Sequence, residues 1–139
     1  MTTRSDAYIQ ANMDLIYRNS NFAGVGDTTG VRGSTAPGSL HVALMTETGE
    51  VAYTGYARGA VARSASGWNR TGNVVTNASD VVFTLVPEGT TPQTATRAAI
   101  YTDGTSGTLL HIATLPVPIP IQAGIRPVIE AGAIIITGS

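Results

Sequence analysis

Three prolines at alternate positions place the strongest single limit on how this chain can fold. They lie in the segment PVPIPI, which runs from Pro116 to Ile121. Proline has no backbone N–H, and in an extended chain the N–H groups of alternate residues point to the same side. The segment therefore lacks three donors along one edge and can pair with a neighbouring strand on its other side only. An edge blocked in this way resists uncontrolled addition of further strands.

Two arrangements satisfy this limit, and the sequence leaves both open. Pro116, Pro118 and Pro120 either belong to an ordinary edge strand or form an extended strap across a neighbouring subunit. In both arrangements the apolar residues of the segment share a face that can be buried: Val117, Ile119 and Ile121. We predict that the three prolines take part in contacts between subunits.

The part of the chain that includes this segment has the pattern of an all-β domain. Leu40, Val42 and Leu44 alternate with smaller or polar residues, which is the period of a half-buried strand. After Trp68, short apolar stretches are separated by turn residues at intervals of about 8–12 residues. The further strands are predicted at Asn73–Thr76, Val81–Val86, Thr96–Thr102, Thr108–Leu115, Val117–Ile121, Arg126–Glu130 and Ala133–Thr137. We predict a β-sandwich or jelly roll of about eight strands over residues 39–139.

The only convincing helical pattern precedes this domain. A helix is predicted for Thr3–Arg18, because its apolar residues recur on one helical face. Thr3 begins a capping-box pattern, and Ser5 is the competing N-cap. A lone helix of this length must pack on something, either its own sheet or another subunit. If it docks on another subunit, the residues predicted to form the contact are Tyr8, Ile9, Met13 and Tyr17.

A Gly, Thr and Ser-rich segment from Phe22 to Ser39 follows the helix and lacks the periodicity of a helix or a buried strand. It indicates an ordered loop or an extended arm. We therefore divide the chain into an N-terminal helix and arm, residues 1–38, and a β domain, residues 39–139. The glycines of the segment do not form a phosphate loop, because a helix precedes them and no helix is predicted after them.

Ordered motifs between Leu40 and Thr137 carry a resemblance to a known family. An LHVAL strand is followed by an acidic turn, by YTGYAR and by a closing SGW, and later by TLLHIATL and GIRPVIEAGAIIIT. This order resembles a family of small bacteriophage virion proteins. Some members are described as tail-fibre-like, and others are head decoration or cement proteins with a β-sandwich or jelly-roll fold. The resemblance implies a structural role in a phage particle.

The charge content is consistent with a surface covered by neighbouring subunits. Only 12% of the residues are charged, against roughly 25% in typical soluble domains, and all eight basic residues are arginine. Lysine is depleted at interfaces, whereas arginine and tyrosine are enriched there. A bias toward arginine codons explains the missing lysine equally well, but not the low total charge. We expect Arg58 and Tyr56 to be interface residues and Trp68 to lie in the core.

The same composition argues against several other functions. A net charge of −1 is unlike a nucleic-acid-binding protein, and no apolar run is long enough to cross a bilayer, so neither nucleic acid nor membrane is an expected partner. The chain has no cysteine, and its two histidines, His41 and His111, have no recognisable set of catalytic or metal-binding partners. We predict no enzymatic activity and no cofactor.

The sequence therefore predicts a structural subunit of a bacteriophage particle. The expected function is capsid decoration, in which copies made in the host cytoplasm bind the outside of the head and stabilise contacts between major capsid proteins. Self-association as a dimer or trimer is expected with it. The alternative is a tail or tail-fibre-associated module that binds a receptor or glycan. A small hydrolase is a third hypothesis, which would depend on His41 and His111.

Overall fold

One helix, α1, packs against the body of the protein. The structure, a computed structural model, describes residues 3–26 and 30–139. Helix α1 spans Asp6–Arg18 and is capped by Ser5, whose side chain accepts a hydrogen bond from the backbone N–H of Tyr8 at 3.2 Å. It ends at Asn19, which adopts the left-handed conformation that commonly terminates helices. The predicted helix is confirmed, and Ser5 rather than Thr3 is its cap.

Among the described residues, nine β-strands make up the rest of the regular structure. They are β1 (Ser39–Met45), β2 (Gly59–Ala62), β3 (Trp68–Thr71), β4 (Val74–Asn77), β5 (Val81–Val82), β6 (Gln93–Tyr101), β7 (Leu109–Ile121), β8 (Val128–Ile129) and β9 (Ile135–Thr137). They pair antiparallel in a four-stranded sheet of order β2-β1-β6-β7, a three-stranded sheet of order β3-β4-β9 and a two-stranded sheet, β5-β8.

The predicted all-β fold with an N-terminal helix is confirmed, but the jelly-roll arrangement is not. A jelly roll distributes eight strands over two sheets, whereas the strands that the structure describes form sheets of four, three and two. The two strands predicted at Thr108–Leu115 and Val117–Ile121 are one continuous strand, β7. Proline fixes φ at a value that extended chains tolerate, so Pro116 does not end the strand.

One hydrophobic core joins the sheets and the helix. Leu40, Val42 and Leu44 face this core from β1, as their alternation predicts. Trp68 is fully buried at the start of β3 and meets the Tyr17 ring edge-on, with ring centroids 5.0 Å apart. The core position predicted for Trp68 is confirmed. Because α1 contributes to this same core, the helix is part of the folded body.

The segment after the helix folds back on the chain where it is described. Phe22 and Val31 form a two-way backbone bridge, with N to O distances of 2.7 and 2.8 Å. The Asn19 and Asn21 side chains accept hydrogen bonds from the backbone N–H groups of Ser34 and Gly33. This part of the predicted arm is therefore an ordered loop against the body. Residues 1–2 and 27–29 of the predicted N-terminal region lie outside the described residues.

Candidate interaction surface

The proline segment forms half of an edge strand. Strand β7 pairs with β6 on one side, and in the described part of the chain its other edge has no partner strand. Thr114 is opposite Arg97 and Ile119 is opposite Ala95, so β7 contains three more residues than β6 between these pairs. This bulge turns the middle of the proline segment outward. The edge-strand arrangement is the one the structure adopts.

The bulge changes which residues of the segment are buried. Ile121 is fully buried, but Val117 is 72% exposed, so the expectation that it shares a buried face with Ile121 is wrong. The extra residues of the bulge break the alternation on which that expectation rested. Pro116, Pro118 and Pro120 are exposed, as contacts with another subunit would require. Their role in such contacts stays a prediction.

A shallow apolar groove of about 210 Å³ lies beside the bulge. Leu115, Val117 and Ile119 line one side, and Ile129 and Ala133 line the other. Glu130 is the one charged residue in its lining. The groove is small and offers few polar groups for orienting a ligand, so it fits an apolar side chain better than a sugar.

The helix does not present the contact residues that were predicted for docking. Ile9, Met13 and Tyr17 are only 7, 5 and 1% exposed, because they pack into the chain's own core. The prediction that these three contact another subunit is therefore corrected, and the helix packs on its own sheets. Tyr8 alone remains exposed, with its ring 5.9 Å from that of Phe22.

Arg58 is likewise paired within the chain. Its guanidinium donates two hydrogen bonds to the carboxylate of Glu50, at 3.0 and 2.9 Å, and lies 3.8 Å from the centroid of the Tyr101 ring. It also donates to the backbone carbonyls of Asp103 and Ser106 in the β6–β7 turn. With 8% of its side chain exposed, Arg58 connects segments within the chain, and its interface role stays a prediction.

Tyr56 belongs to the same cluster. Its hydroxyl donates to Glu50 at 2.8 Å and accepts from the backbone N–H of Leu44 at 3.1 Å. The hydrogen bond from Arg58 holds the pKa of Glu50 below its usual value, while burial, followed by the bond to Glu50, raises the pKa of Tyr56. Tyr56 is half-buried and its hydroxyl is bonded within the chain, and its interface role stays a prediction.

A second arginine, Arg63, connects the helix to the loop before β1. It donates to the backbone carbonyls of Leu15 and Ile16 in the last turn of α1, at 2.8 and 2.7 Å, and to that of Pro37 at 3.1 Å. The last carbonyls of a helix lack partners within the helix and carry partial negative charge. Arg63 therefore satisfies the helix C-terminus from the bend just after β2, more than forty residues away in sequence.

Other arginines also bind within the chain. Arg70 contacts Asp14 at 2.6 Å and so ties β3 to the helix, and Arg18 donates to the carbonyl of Trp68. These two contacts leave no local pattern in the sequence, because the partners are more than forty positions apart along the chain. The absence of lysine is thus explained in part by internal pairing, since arginine can bind several acceptors at once.

The two histidines are separated, and only one has a close side-chain partner. His111, on β7, shares a 2.5 Å hydrogen bond between Nδ1 and the Tyr17 hydroxyl, and burial lowers its pKa. His41 lies on β1 opposite Tyr101. Over residues 3–26 and 30–139, no group of three His, Cys, Asp or Glu residues is arranged to hold a metal ion. No described helix is long and apolar enough to span a membrane.

Asn77 is a structural residue that the sequence analysis missed. It is 1% exposed, donates from Nδ2 to the carbonyls of Ser79 and Glu130, and accepts from the N–H of Ile134. A polar residue in an alternating strand gives no sign of burial, and two of its three partners, Glu130 and Ile134, come from the distant β8–β9 turn.

A comparison with known protein families identifies the family of this chain. Residues 5–137 match the podophage GP4 fiber I protein gp80 family, which is nearly the whole chain. This chain belongs to the podophage GP4 fiber I protein gp80 family. A search of curated proteins found no match.

Membership of the gp80 family makes this chain a structural protein of a phage virion. The resemblance drawn from the sequence motifs is confirmed at that level. The family description names a fiber protein and does not indicate head decoration. The match therefore identifies a virion structural protein and not its place in the particle.

Proposed function

We propose that this protein is a non-enzymatic structural subunit of a fiber on a podophage particle. The observation that carries the proposal is the match of residues 5–137 to a family described as a fiber protein. Nearly the whole described chain is used for folding and internal connections. Its recognisable binding chemistry is an exposed apolar strand edge, as expected for a subunit that works by contact with other proteins.

The internal arginine network supports this mechanical role. Arg58, Arg63 and Arg70 each join segments that are distant in sequence, including the helix, a turn and two sheets. Charge-assisted hydrogen bonds are roughly twice as strong as neutral ones. A subunit fastened in this way transmits force between its contact surfaces without unfolding locally.

Capsid decoration is the second candidate. In that role the protein binds major capsid proteins on the outside of the head and self-associates as a dimer or trimer. The feature that favours it is the exposed apolar surface of β7, where Leu109, Ile112 and Val117 are 43, 46 and 72% exposed. Contacts of this kind, repeated by symmetry, give avidity without one tight site.

A receptor- or glycan-binding function would make the fiber subunit an adhesin. Glycan sites generally require exposed aromatic side chains, and Tyr8 is the one large aromatic residue that is exposed in the described chain. The structure therefore favours a connecting subunit over an adhesin. In each of these roles we propose synthesis in the host cytoplasm and no nucleic-acid or membrane partner.

The copy number and position of the protein in the particle test the proposal. Immunogold labelling with an antibody against this chain should mark fibers, and quantitative gel staining should give about a dozen or a few dozen copies per particle, as expected for symmetric appendages. Labelling spread over the head, with copies on the order of hundreds, would instead establish capsid decoration. Particles without the protein would contradict both.

A further inference from the structure

The free edge of β7 is divided into two unlike halves. Residues 116–121 contain the three prolines and most of the bulge, so they lack donors and regular spacing. Residues 109–115, here called the open half, contain no proline, and His111–Thr114 pair in unbroken register with β6. An edge strand with free N–H and C=O groups is a template for adding another strand. The prolines therefore limit strand addition to the open half.

An antiparallel pairing of two identical open halves avoids every proline. If Ile112 of one copy faces Ile112 of the other, His111 faces Ala113, and Leu109 faces Leu115. Pro116 then falls opposite Thr108, just beyond the end of the ladder. Registers centred closer to the prolines bring Pro116 into the ladder and lose a donor. The register centred on Ile112 is thus the two-fold symmetric pairing that uses the whole open half and still avoids every proline.

The side chains of the open half are compatible with a second copy. The sequence LLHIATL contains no Asp, Glu, Lys or Arg, so self-pairing places no like charges of these types opposite each other. Leu109 and Ile112 are large apolar residues that are 43 and 46% exposed in the single chain. Ile112 lies opposite Ala99 of β6, which is fully buried, so the pairing would place the exposed part of Ile112 against the same residue of the second copy.

Two-fold pairing through β7 is also a closed arrangement. The same strand is used by both copies, so no further β7 edge remains free. Pairing of β7 with the opposite sheet edge, β2, would instead repeat without limit, but β2 has only four residues. The long strand is therefore the better partner for itself.

We propose that two copies of this protein associate through the open half of β7, with Ile112 at the two-fold axis, and form a continuous eight-stranded sheet. The proposal deepens the proposed function, on which it rests for the assumption that several copies meet in the particle. The prolines prevent the ladder from extending beyond Leu115. A pairing that uses the whole open half is then centred on Ile112.

A single introduced cysteine tests this geometry, because the natural chain has none. Residues directly opposite in an antiparallel pair have Cα atoms about 4.5–5.5 Å apart, within the range that a disulfide spans. Purified Ile112→Cys should form a disulfide-linked dimer under mild oxidation at least about ten times faster than the matched control, Val82→Cys. Val82 is 53% exposed, similar to the 46% of Ile112, but it belongs to β5 and has no place in the proposed ladder. Equal rates for the two variants would overturn the proposal.

A charged substitution supplies the complementary test. In sedimentation velocity at increasing concentration, the natural protein and Val82→Lys should dimerise, whereas Ile112→Lys should stay monomeric with an unchanged circular dichroism spectrum. If Ile112→Lys dimerises as well as the natural protein, β7 is not the interface. A natural protein that stays monomeric at every concentration would also refute pairing through β7.

These results are separable from the location of the protein. Monomers in solution that label fibers in the particle would refute β7 pairing and leave the fiber function intact. Dimers with the Ile112 cross-link that are found on the head would support β7 pairing and refute the fiber function.

Discussion

The hydroxyl of Tyr17 lies 2.5 Å from Nδ1 of His111, which connects the helix to the edge strand across 94 positions of sequence. The Tyr17 ring also packs edge-on against Trp68, which is fully buried. One tyrosine therefore links α1, β3 and β7. The position of the helix and that of the proposed contact strand are physically connected.

The burial of His111 should make stability depend on pH below neutrality. Burial lowers the pKa of His111 from its ordinary value of 6.5, so the unfolded chain binds this proton more readily than the folded one. The free energy of unfolding should therefore fall as the pH drops below about 6.5 and level off below the folded-state pKa. Urea unfolding at a series of pH values measures this change in the free energy of unfolding. His111→Asn should flatten the dependence in this range, and an unchanged slope would contradict this origin.

Arg63 should contribute strongly to the stability of helix α1, although it is more than forty residues from the helix in sequence. Arg63→Ala removes the donors to the Leu15 and Ile16 carbonyls, so we expect a loss of about 1–3 kcal/mol in the free energy of unfolding. Hydrogen exchange should show faster exchange within Asp6–Arg18. Arg63→Lys should recover only part of the loss, because one ammonium cannot replace the planar fork.

Arg32→Ala is the matched control for this experiment. Arg32 is exposed, so its removal should change stability by less than about 0.5 kcal/mol. A loss of equal size in both variants would mean that net charge, and not the contact with the helix, accounts for the effect.

Arg58 should stabilise the β6–β7 turn and set the ionisation of Glu50. Arg58→Ala should cost about 1–3 kcal/mol, because it removes the guanidinium donors to two backbone carbonyls and leaves Glu50 with the Tyr56 hydroxyl as its donor. The pKa of Glu50 should rise toward its ordinary value of 4.5, which an NMR titration of the carboxyl group measures. Arg58→Lys should retain part of the pKa depression and lose the paired geometry. A Glu50 pKa that is unaffected by Arg58→Ala would refute the pairing.

Asn77 should tolerate neither an apolar nor a charged replacement. Asn77→Ala leaves the Ser79 and Glu130 carbonyls and the Ile134 N–H without their side-chain partner, which should cost about 1–3 kcal/mol. Asn77→Asp should be worse at neutral pH, since a buried carboxylate would face two carbonyl oxygens. Thermal unfolding compares the two. Greater stability of the Asp variant would contradict the assigned side-chain orientation.

Secondary-structure elements that depend only on neighbouring residues can be predicted from the sequence. The spacing of Ile9, Met13 and Tyr17 indicated the helix, and the alternation around Val42 indicated a strand, because these periods follow from backbone geometry alone. The proline segment was identified as a strand that can pair on one side, since a missing N–H acts in any tertiary context. The family resemblance rested on the order of such local motifs.

The partners of individual side chains depended on the tertiary structure. The apolar face of the helix could have packed on its own sheet or on another subunit, and the periodicity is the same in both cases. Arg58 and Tyr56 have the composition of an interface, yet the fold brings Glu50 and the β6–β7 turn to them and pairs them internally. The helix, the strands and the proline-blocked edge follow from the local sequence, because those properties depend on neighbouring residues. The pairing of polar groups follows from the fold, because each such contact requires segments distant in the chain to pack side by side.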